Sequence, residues 1–234
     1  MKTEISRAFN IHVYENVMPV SIMRCFWTLV ILLLFLASSG CKKEIDPDYR
    51  VPPPLFEPLP ITLGVYYGDA FRDARLTNGS SAGLDFVILV GRANISLHDQ
   101  LLSDMFLETV PLESRFAPPK GATRLDAIIE PEISAFSYDW DVNSGDASVD
   151  IIYSYTMSAP DGERLVQWTV RGYGYSREGI GIIGALDNGI QIAMRDAAAR
   201  LVVTVHEDPA IRRCRERFPV TSDTRWNIQE CFAE

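Results

Sequence analysis

The pattern of apolar and polar positions predicts an α+β domain between residues 61 and 206. Five strand-like runs cover residues 61–67, 84–90, 125–133, 149–158 and 164–175. The clearest one alternates apolar residues from Val149 to Met157 with polar ones, which indicates a strand with one buried face. Helical spacing predicts helices over 96–110, with Ser96 as N-cap, and over 186–205. The predicted order is β-β-α-β-β-β-α, a mainly antiparallel sheet with two helices packed on one face.

A different pattern precedes this domain. Arg24 is followed by a continuous apolar run from Cys25 to Ala37 and then by the small residues Ser38-Ser39-Gly40. This order is typical of a secretory signal peptide, and the run is too short for a comfortable membrane span. Residues 42–60 are charged and then proline-rich, which predicts a semi-extended tether. The predicted organisation is a signal peptide over 1–40, a tether over 41–60, the domain over 61–206 and a polar C-terminal tail over 207–234.

The net charge limits the class of partner. The chain carries a formal charge of −9, and its first 40 residues hold three basic and two acidic residues, which leaves −10 for the remainder. A surface this acidic repels phosphate backbones, so we expect no nucleic acid as a partner.

The junction Leu36-Ala-Ser-Ser-Gly-Cys41 resembles the lipobox of bacterial lipoproteins, although Ser38 stands where that family usually has Leu. The resemblance implies that Cys41 becomes the lipidated first residue of the mature protein and anchors it in a membrane. Lys42 follows Cys41, and there is no Asp at this position. Under the enteric-type sorting rule for lipoproteins, that implies the bacterial outer membrane, with the domain facing the periplasm.

The remaining cysteines follow from this interpretation. Cys25 would leave with the signal peptide, and Cys41 would carry the lipid. Cys214 and Cys231 would then be left as a pair that can form a disulfide in the oxidising periplasm.

Two short motifs match known sites in part. Gly79-Ser-Ser81-Ala-Gly83 has the G-x-S-x-G spacing of a serine-hydrolase nucleophile elbow, but it lies between two predicted strands, which is typical of a plain loop. Residues 139–150 space oxygen ligands as a calcium loop does, yet no predicted helices flank them, which favours an acidic hairpin loop. His98 and His206 show no zinc-ligand spacing with the cysteines. We therefore predict no metal and no cofactor.

A third motif, G-x-G-x-x-G, lies between a predicted strand and the last helix. A dinucleotide-binding unit needs a parallel βαβ arrangement, whereas a hairpin precedes these glycines. We expect either a simple lead-in to the helix or an apolar loop that packs on a partner. The residues of this candidate partner-binding loop are Gly179, Ile180, Gly181, Ile182, Ile183 and Gly184.

Two further stretches resemble a known set of proteins. They are Ile128-Ile-Glu-Pro-Glu-Ile133, and residues 151–174 with an Asp-Gly turn and the spacing Leu165-x-x-Trp168-x-x-x-Gly172, followed by an Ala-rich helix. Together they are similar to the periplasmic domains of assembly and transport-auxiliary lipoproteins, such as the curli-secretion and lipopolysaccharide-assembly lipoproteins. The resemblance implies an accessory role in an envelope export, assembly or transport complex, and it transfers no catalytic residue.

These observations predict a non-enzymatic lipoprotein that binds other envelope proteins. We expect it to bind through the 179–184 loop and through the sheet near Pro131, where proline indicates an edge or a bulge. One alternative is a periplasmic ligand-binding lipoprotein for an apolar or glycan ligand, and another is a serine hydrolase that uses Ser81. A ligand cleft would be lined by aromatic side chains, but aromatics on strands are usually core residues. We therefore expect the following in the core: Trp140, Trp168, Tyr153, Tyr155, Tyr173 and Tyr175. The sequence leaves the partner's identity and the oligomeric state open.

Overall fold

The computed structural model describes residues 55–79, 85–116, 124–141, 143–177, 181–218 and 226–233. The chain divides into two compact units, Met1–Lys43 and Glu44–Glu234, and all described residues belong to the second. The predicted signal peptide and the lipidated Cys41 therefore lie outside the described residues. Within the described part of the chain, no helix is both long and apolar enough to cross a membrane.

The described residues form seven strands and five helices. The strands are β1 (Leu59–Tyr66), β2 (Arg75–Gly79), β3 (Asp85–Leu89), β4 (Phe106–Leu112), β5 (Ala127–Trp140), β6 (Ala147–Ser158) and β7 (Arg164–Ser176). The helices are α1 (Asp69–Arg72), α2 (Gly91–Met105), α3 (Gly181–Glu207), α4 (Pro209–Arg217) and α5 (Ile228–Phe232). The fold class α+β is confirmed, but the order is β-α-β-β-α-β-β-β-β-α-α-α, with more elements than predicted.

The main sheet is mixed. Its five strands lie in the order β4-β1-β5-β6-β7, and β2 and β3 form a separate two-stranded hairpin. β1 pairs in parallel with both of its neighbours, whereas β5, β6 and β7 form an antiparallel meander. The prediction of a mainly antiparallel sheet holds for the meander alone, because the central β1 runs parallel to the strands on either side of it.

Both long helices lie on one face of this sheet, as predicted. α3 comes so close to β7 that a Cβ on Gly172 would lie 2.0 Å from the carbonyl oxygen of Ala193, so only glycine fits there. α2 reaches the same face, because its His98 bonds to Tyr155 of β6. The alternate side chains of β6 and β7 on this face are buried in the core together with those of both helices and of β1, whereas their side chains on the other face are partly or largely exposed.

The first long helix is placed differently from the prediction. α2 covers Gly91–Met105, so Ser96 lies in its second turn and is not its N-cap, which is Val90. The predicted apolar stripe of this helix is confirmed, since its residues Leu97, Leu101, Leu102 and Met105 are all buried. It ends at Phe106, where the chain becomes β4 because the backbone there pairs with β1.

Pro131 lies where β5 changes its surroundings. β1 pairs with β5 only as far as Val65 with Ile129, two residues before Pro131. From Pro131 to Trp140, β5 pairs with β6 alone among the described strands, and a bulge falls between Ile133 and Ala135. β5 is thus a central strand in its first part and an edge in its second, and the missing N–H of Pro131 removes no bond to β1.

The C-terminal segment is part of the domain and is not a polar tail. Residues from Glu207 onward include α4 and α5, and Ile211, Trp226 and Ile228 are at most 1% exposed. Trp226 also donates its backbone N–H to the carbonyl of Pro60 beside β1. The prediction failed because Arg and Glu are frequent in this segment, while Ile211, Trp226 and Ile228 are buried in the core.

Candidate functional site

The face of the meander opposite the helices is exposed. It carries the residues of β7 that alternate with the buried ones, together with their cross-strand neighbours on β6. We define the open face by Asp150, Ile152, Arg171, Tyr173 and Tyr175. No described element packs against it, and the rings of Tyr173 and Tyr175 are 48% and 43% exposed.

Polar contacts hold the side chains of the open face in place. Arg171 pairs with Asp150 across β6 and β7, and this hydrogen bond raises the pKa of the guanidinium. Tyr175 donates its hydroxyl to Asp146 over 2.6 Å, and the guanidinium of Arg177 lies 6.0 Å from the centre of the Tyr175 ring. The ring of Tyr175 is therefore partly ordered before anything binds, which lowers the entropy cost of docking.

The outer edge of β7 is partly closed by α3. The backbone N–H of Tyr173 donates to the carboxylate of Asp196 over 3.0 Å, and Asp196 in turn pairs with Arg200 one helical turn later. An edge N–H that is already bonded does not attract a further strand. A partner would therefore meet the side chains of the open face rather than the backbone at this position.

The open face lies far from the point where the N-terminal tether joins the domain. β1 begins at Leu59, and β5 runs parallel to it and then continues past its last pair at Ile129 to Trp140. At about 3.3 Å per residue, the meander extends about 35 Å beyond β1. Tyr173 and Tyr175 pair with Asp150 and Ser148 near this distal end, where α3 also begins at Gly181.

The aromatic residues divide between the two faces. Tyr153, Tyr155 and Trp168 are buried under the helices, as predicted, and Trp140 is partly buried against the same core. Tyr173 and Tyr175 lie on the open face, so the expectation that they are core residues is wrong. Because Trp168 and the two exposed tyrosines are on opposite faces of β7, they do not line a common cleft.

A second exposed feature surrounds the point where the tether enters. Phe56 stacks on the imidazole of His206, with the ring centres 4.3 Å apart, and a cleft of about 400 Å³ lies between residues 55–59, His206 and Arg215. His206 also bonds through Nδ1 to the carbonyl of Val202 over 3.0 Å, and burial lowers its pKa. These contacts fix the beginning of the domain to the last turn of α3.

A buried polar cluster lies beneath α2. His98 bonds to the carbonyl of Asn94 and to the hydroxyl of Tyr155, and Tyr153 donates to the side chain of Asn94. At its rim, Tyr67 donates to Asp99 over 2.7 Å, and burial raises the pKa of Tyr67. Each ring nitrogen of His98 has an internal partner, so its geometry is that of a packed core histidine rather than a catalytic base.

The predicted site residues are placed as follows. Cys214 and Cys231 form a disulfide, with their Cα atoms 5.4 Å apart. Gly179 and Ile180 lie outside the described residues, whereas Gly181–Gly184 form the first turn of α3 and are not a loop. Of the two expectations for this motif, the simple lead-in to the helix matches the position of Gly181–Gly184. Contact of residues 179–184 with a partner stays a prediction. Since the preceding β7 is antiparallel to β6, the glycines do not follow a parallel βαβ unit.

The structure describes only part of the G-x-S-x-G motif at 79–83 and of the calcium-like loop at 139–150. Ser81 and its neighbours lie outside the described residues, apart from Gly79 at the end of β2. In the acidic hairpin, Asp141 accepts the backbone N–H of Asn143, and Asp150 is taken up by its ion pair with Arg171. No group of three or more metal-binding side chains occurs in the described ranges.

Comparison with known proteins gives only weak similarities. No protein-family model matches the sequence, and no curated protein matches it. A Xanthomonas campestris protein of family DUF330 is 16% identical, with a TM-score of 0.49, over 68% of this chain and 92% of its own. A minor lipoprotein from Acinetobacter baumannii is 6% identical, with a TM-score of 0.35, over 63% and 91%. A lipoprotein from Neisseria meningitidis is 12% identical, with a TM-score of 0.31, over 62% and 95%. Similarities of this size establish neither a family nor a function.

Proposed function

We propose that this chain is a lipid-anchored protein of the bacterial envelope that acts without catalysis, as a binding subunit of an export or transport complex. Cys41 holds it at the outer membrane, and another envelope protein docks on the open face. The observation that carries the proposal is the exposure of Tyr173 and Tyr175 beside Arg171 on a sheet face that no described element covers.

The chemistry of these residues supports docking of a protein. Tyrosine and arginine supply much of the binding energy at protein interfaces, because each combines a large contact area with directional hydrogen bonds. Tyr173 and Tyr175 expose nearly half of their surface, and the neighbouring ion pairs limit the number of conformations that binding must freeze. The surrounding Ser148 and Thr169 are small enough to leave the rings accessible.

The position of the open face also supports this function. The tether joins the domain beside Leu59 and His206, and the meander extends about 35 Å beyond β1 in the other direction. A partner bound at Tyr173 and Tyr175 would be held away from the anchored end, where there is room for a large assembly. The start of α3 at Gly181 lies at the same end, so the candidate 179–184 segment could contribute to the same contact.

The test is photo-crosslinking in cells with the lipidated chain. A photoreactive phenylalanine analogue replaces Tyr173 or Tyr175 in turn, and crosslinked products are identified by mass spectrometry. The matched control carries the analogue at Leu107, which is 56% exposed on β4, at the edge of the main sheet opposite β7. A Cys41→Ala chain is examined in parallel to test the anchor.

We expect one defined envelope export or transport complex to be captured at Tyr173 and Tyr175 but not at Leu107, with capture reduced in the Cys41→Ala chain. Truncation of both tyrosines to Ala should weaken binding to the purified partner at least about tenfold. Equal capture from all three positions, or none from the tyrosines of an abundant and membrane-bound chain, would overturn the docking proposal. In that case, a screen of apolar and glycan ligands would test the ligand-binding alternative.

A further inference from the structure

α4 is strongly basic although the protein is acidic. Its nine residues include Arg212, Arg213, Arg215 and Arg217 and one acid, Glu216. Its buried side, formed by Ala210, Ile211 and Cys214, packs on the core, whereas Arg212 and Arg217 are exposed and Arg213 donates to the carbonyl of Cys231. None of the ion pairs among the described residues involves Arg212, Arg215 or Arg217. The helix therefore presents positive charge that the rest of the described domain does not neutralise.

This basic helix lies beside the point where the tether enters the domain. Arg215 lines the same cleft as residues 55–59, together with His206. Two apolar side chains are exposed there, since Leu55 is fully accessible and Phe56 is 47% exposed. Glu57 is the acidic residue that lines this cleft. The surface thus combines cationic and apolar groups, which is the composition of segments that bind at the headgroup region of a membrane.

The length of the tether keeps this surface close to the anchored leaflet. Thirteen residues, 42–54, separate Cys41 from Leu55. Even fully extended, they span at most about 45 Å. α4 and residues 55–56 are thus among the first parts of the domain that the tether brings to the bilayer, and the open face is among the last.

We propose that Leu55 and Phe56, together with Arg212, Arg215 and Arg217 of α4, form a membrane-docking surface that binds anionic phospholipid headgroups of the leaflet holding the anchor. The guanidiniums would make paired hydrogen bonds to lipid phosphates, while Leu55 and Phe56 enter the boundary with the acyl chains. The inference rests on the proposed function only for the anchor at Cys41. The inference adds that the domain has a fixed orientation at the membrane, because a docked α4 points the distal open face away from the membrane and toward a partner.

The test uses the mature chain, residues 41–234, with Cys41→Ala, so that no lipid anchor contributes. Cosedimentation is measured with vesicles of phosphatidylcholine, with and without phosphatidylglycerol, at low and high salt. We expect binding to the anionic vesicles that falls as salt rises, because the contact is electrostatic. The salt response needs no variant and is therefore independent of any folding defect.

Variants then locate the surface. The double change Arg212→Gln and Arg217→Gln should lower partition into anionic vesicles at least about tenfold. The matched control is Arg171→Gln with Arg177→Gln, which removes the same charge from the distal end, where both side chains are at least 66% exposed. It should change partition less than about twofold. Circular dichroism and the thermal midpoint check that each variant is folded.

Absence of binding to anionic vesicles, or an equal loss in both double variants, would overturn membrane docking by α4. Failure of the anchor is distinguishable from this result, since it would appear as a soluble wild-type chain in cell fractionation while vesicle binding by the Cys41→Ala chain persists. Failure of the open face as a docking site would leave both of these measurements unchanged.

Discussion

Acidification should destabilise this domain through His98, whose side chain is 1% exposed in the core. Its Nδ1 lies 2.7 Å from the carbonyl oxygen of Asn94, and its Nε2 lies 2.8 Å from the hydroxyl oxygen of Tyr155. A neutral ring with its proton on Nδ1 satisfies both contacts, because Tyr155 then donates to Nε2. Burial disfavours the charged ring and lowers the pKa of His98 to about 4.

The size of the effect follows from the difference between folded and unfolded pKa values. The unfolded chain protonates His98 near its ordinary pKa of 6.5, whereas the folded domain does so only near 4. Between these pH values the unfolded state binds more protons, so the free energy of unfolding falls as the pH falls. One pKa unit corresponds to about 1.4 kcal/mol, so His98 contributes about 3 kcal/mol above pH 6.5 that is lost on acidification through pH 4.

Urea unfolding of the wild-type chain and of His98→Gln, each at neutral pH and at about pH 4, measures this contribution. The variant loses the contacts of the imidazole at both pH values, and the carboxylates titrate in both proteins, so these effects cancel in the difference. We expect the wild-type chain to lose about 3 kcal/mol more than the variant between the two pH values. Equal losses in the two proteins would refute the assignment of the pH dependence to His98.

Three further perturbations test the packing of α3 and of the C-terminal segment. Gly172→Ala, which places a Cβ 2.0 Å from a backbone oxygen of α3, should cost about 3 kcal/mol in urea unfolding. Gly68→Ala, with its nearest contact at 3.7 Å, loses only the preference for glycine at the N-cap of α1 and should cost less than about 1 kcal/mol. Similar costs for the two would contradict the close approach of α3. Reduction of the Cys214–Cys231 disulfide, which closes a loop of 17 residues, should lower stability by about 3 kcal/mol, and an unchanged urea midpoint would argue against the bond. Asp208→Ala removes the N-cap of α4 and an acceptor for a buried indole, and should cost about 2 kcal/mol by thermal unfolding; a neutral change would show that water replaces both bonds.

The strands with one buried face could be predicted closely from the sequence. β6 was expected over 149–158 and covers Ala147–Ser158, and β7 was expected over 164–175 and covers Arg164–Ser176. A single buried face imposes a period of two that no helix shares. The Ala159–Gly162 turn between them was also predicted and is confirmed, since Gly162 has a φ of 97°.

Other elements could not be read from periodicity. β4 was missed because Phe106 continues the apolar stripe of α2, and only its pairing with β1 makes it a strand. β2 was missed because its sequence, Arg75 to Gly79, is mainly polar and its partner is the local hairpin strand β3. The parallel direction of β1 depends on contacts between distant segments, which leave no trace in a local pattern.

Part of the candidate site could also be predicted from the sequence. In the strand predicted over 164–175, Val166, Trp168 and Val170 are two residues apart and so share one face, which places Tyr173 and Tyr175 on the opposite face. This alternation along the strand was the signal that the two tyrosines are exposed. The general tendency of aromatic residues on strands to be buried outweighed it. The basic surface of α4 could not be predicted for a different reason, because a polar tail has no buried side and therefore no defined exposed side on which arginines could cluster.

The burial of Trp226 beside the first strand has a consequence for the order of events during biogenesis. Its backbone N–H bonds to Pro60, its indole donates to the carbonyl of Phe218, and Cys231 completes the disulfide with Cys214. A chain that crosses a membrane from its N-terminus delivers β1 early and this closing segment late. If the chain is exported as proposed, the core cannot be completed until residue 226 has emerged, and oxidation of the two cysteines would be one of the last steps of maturation.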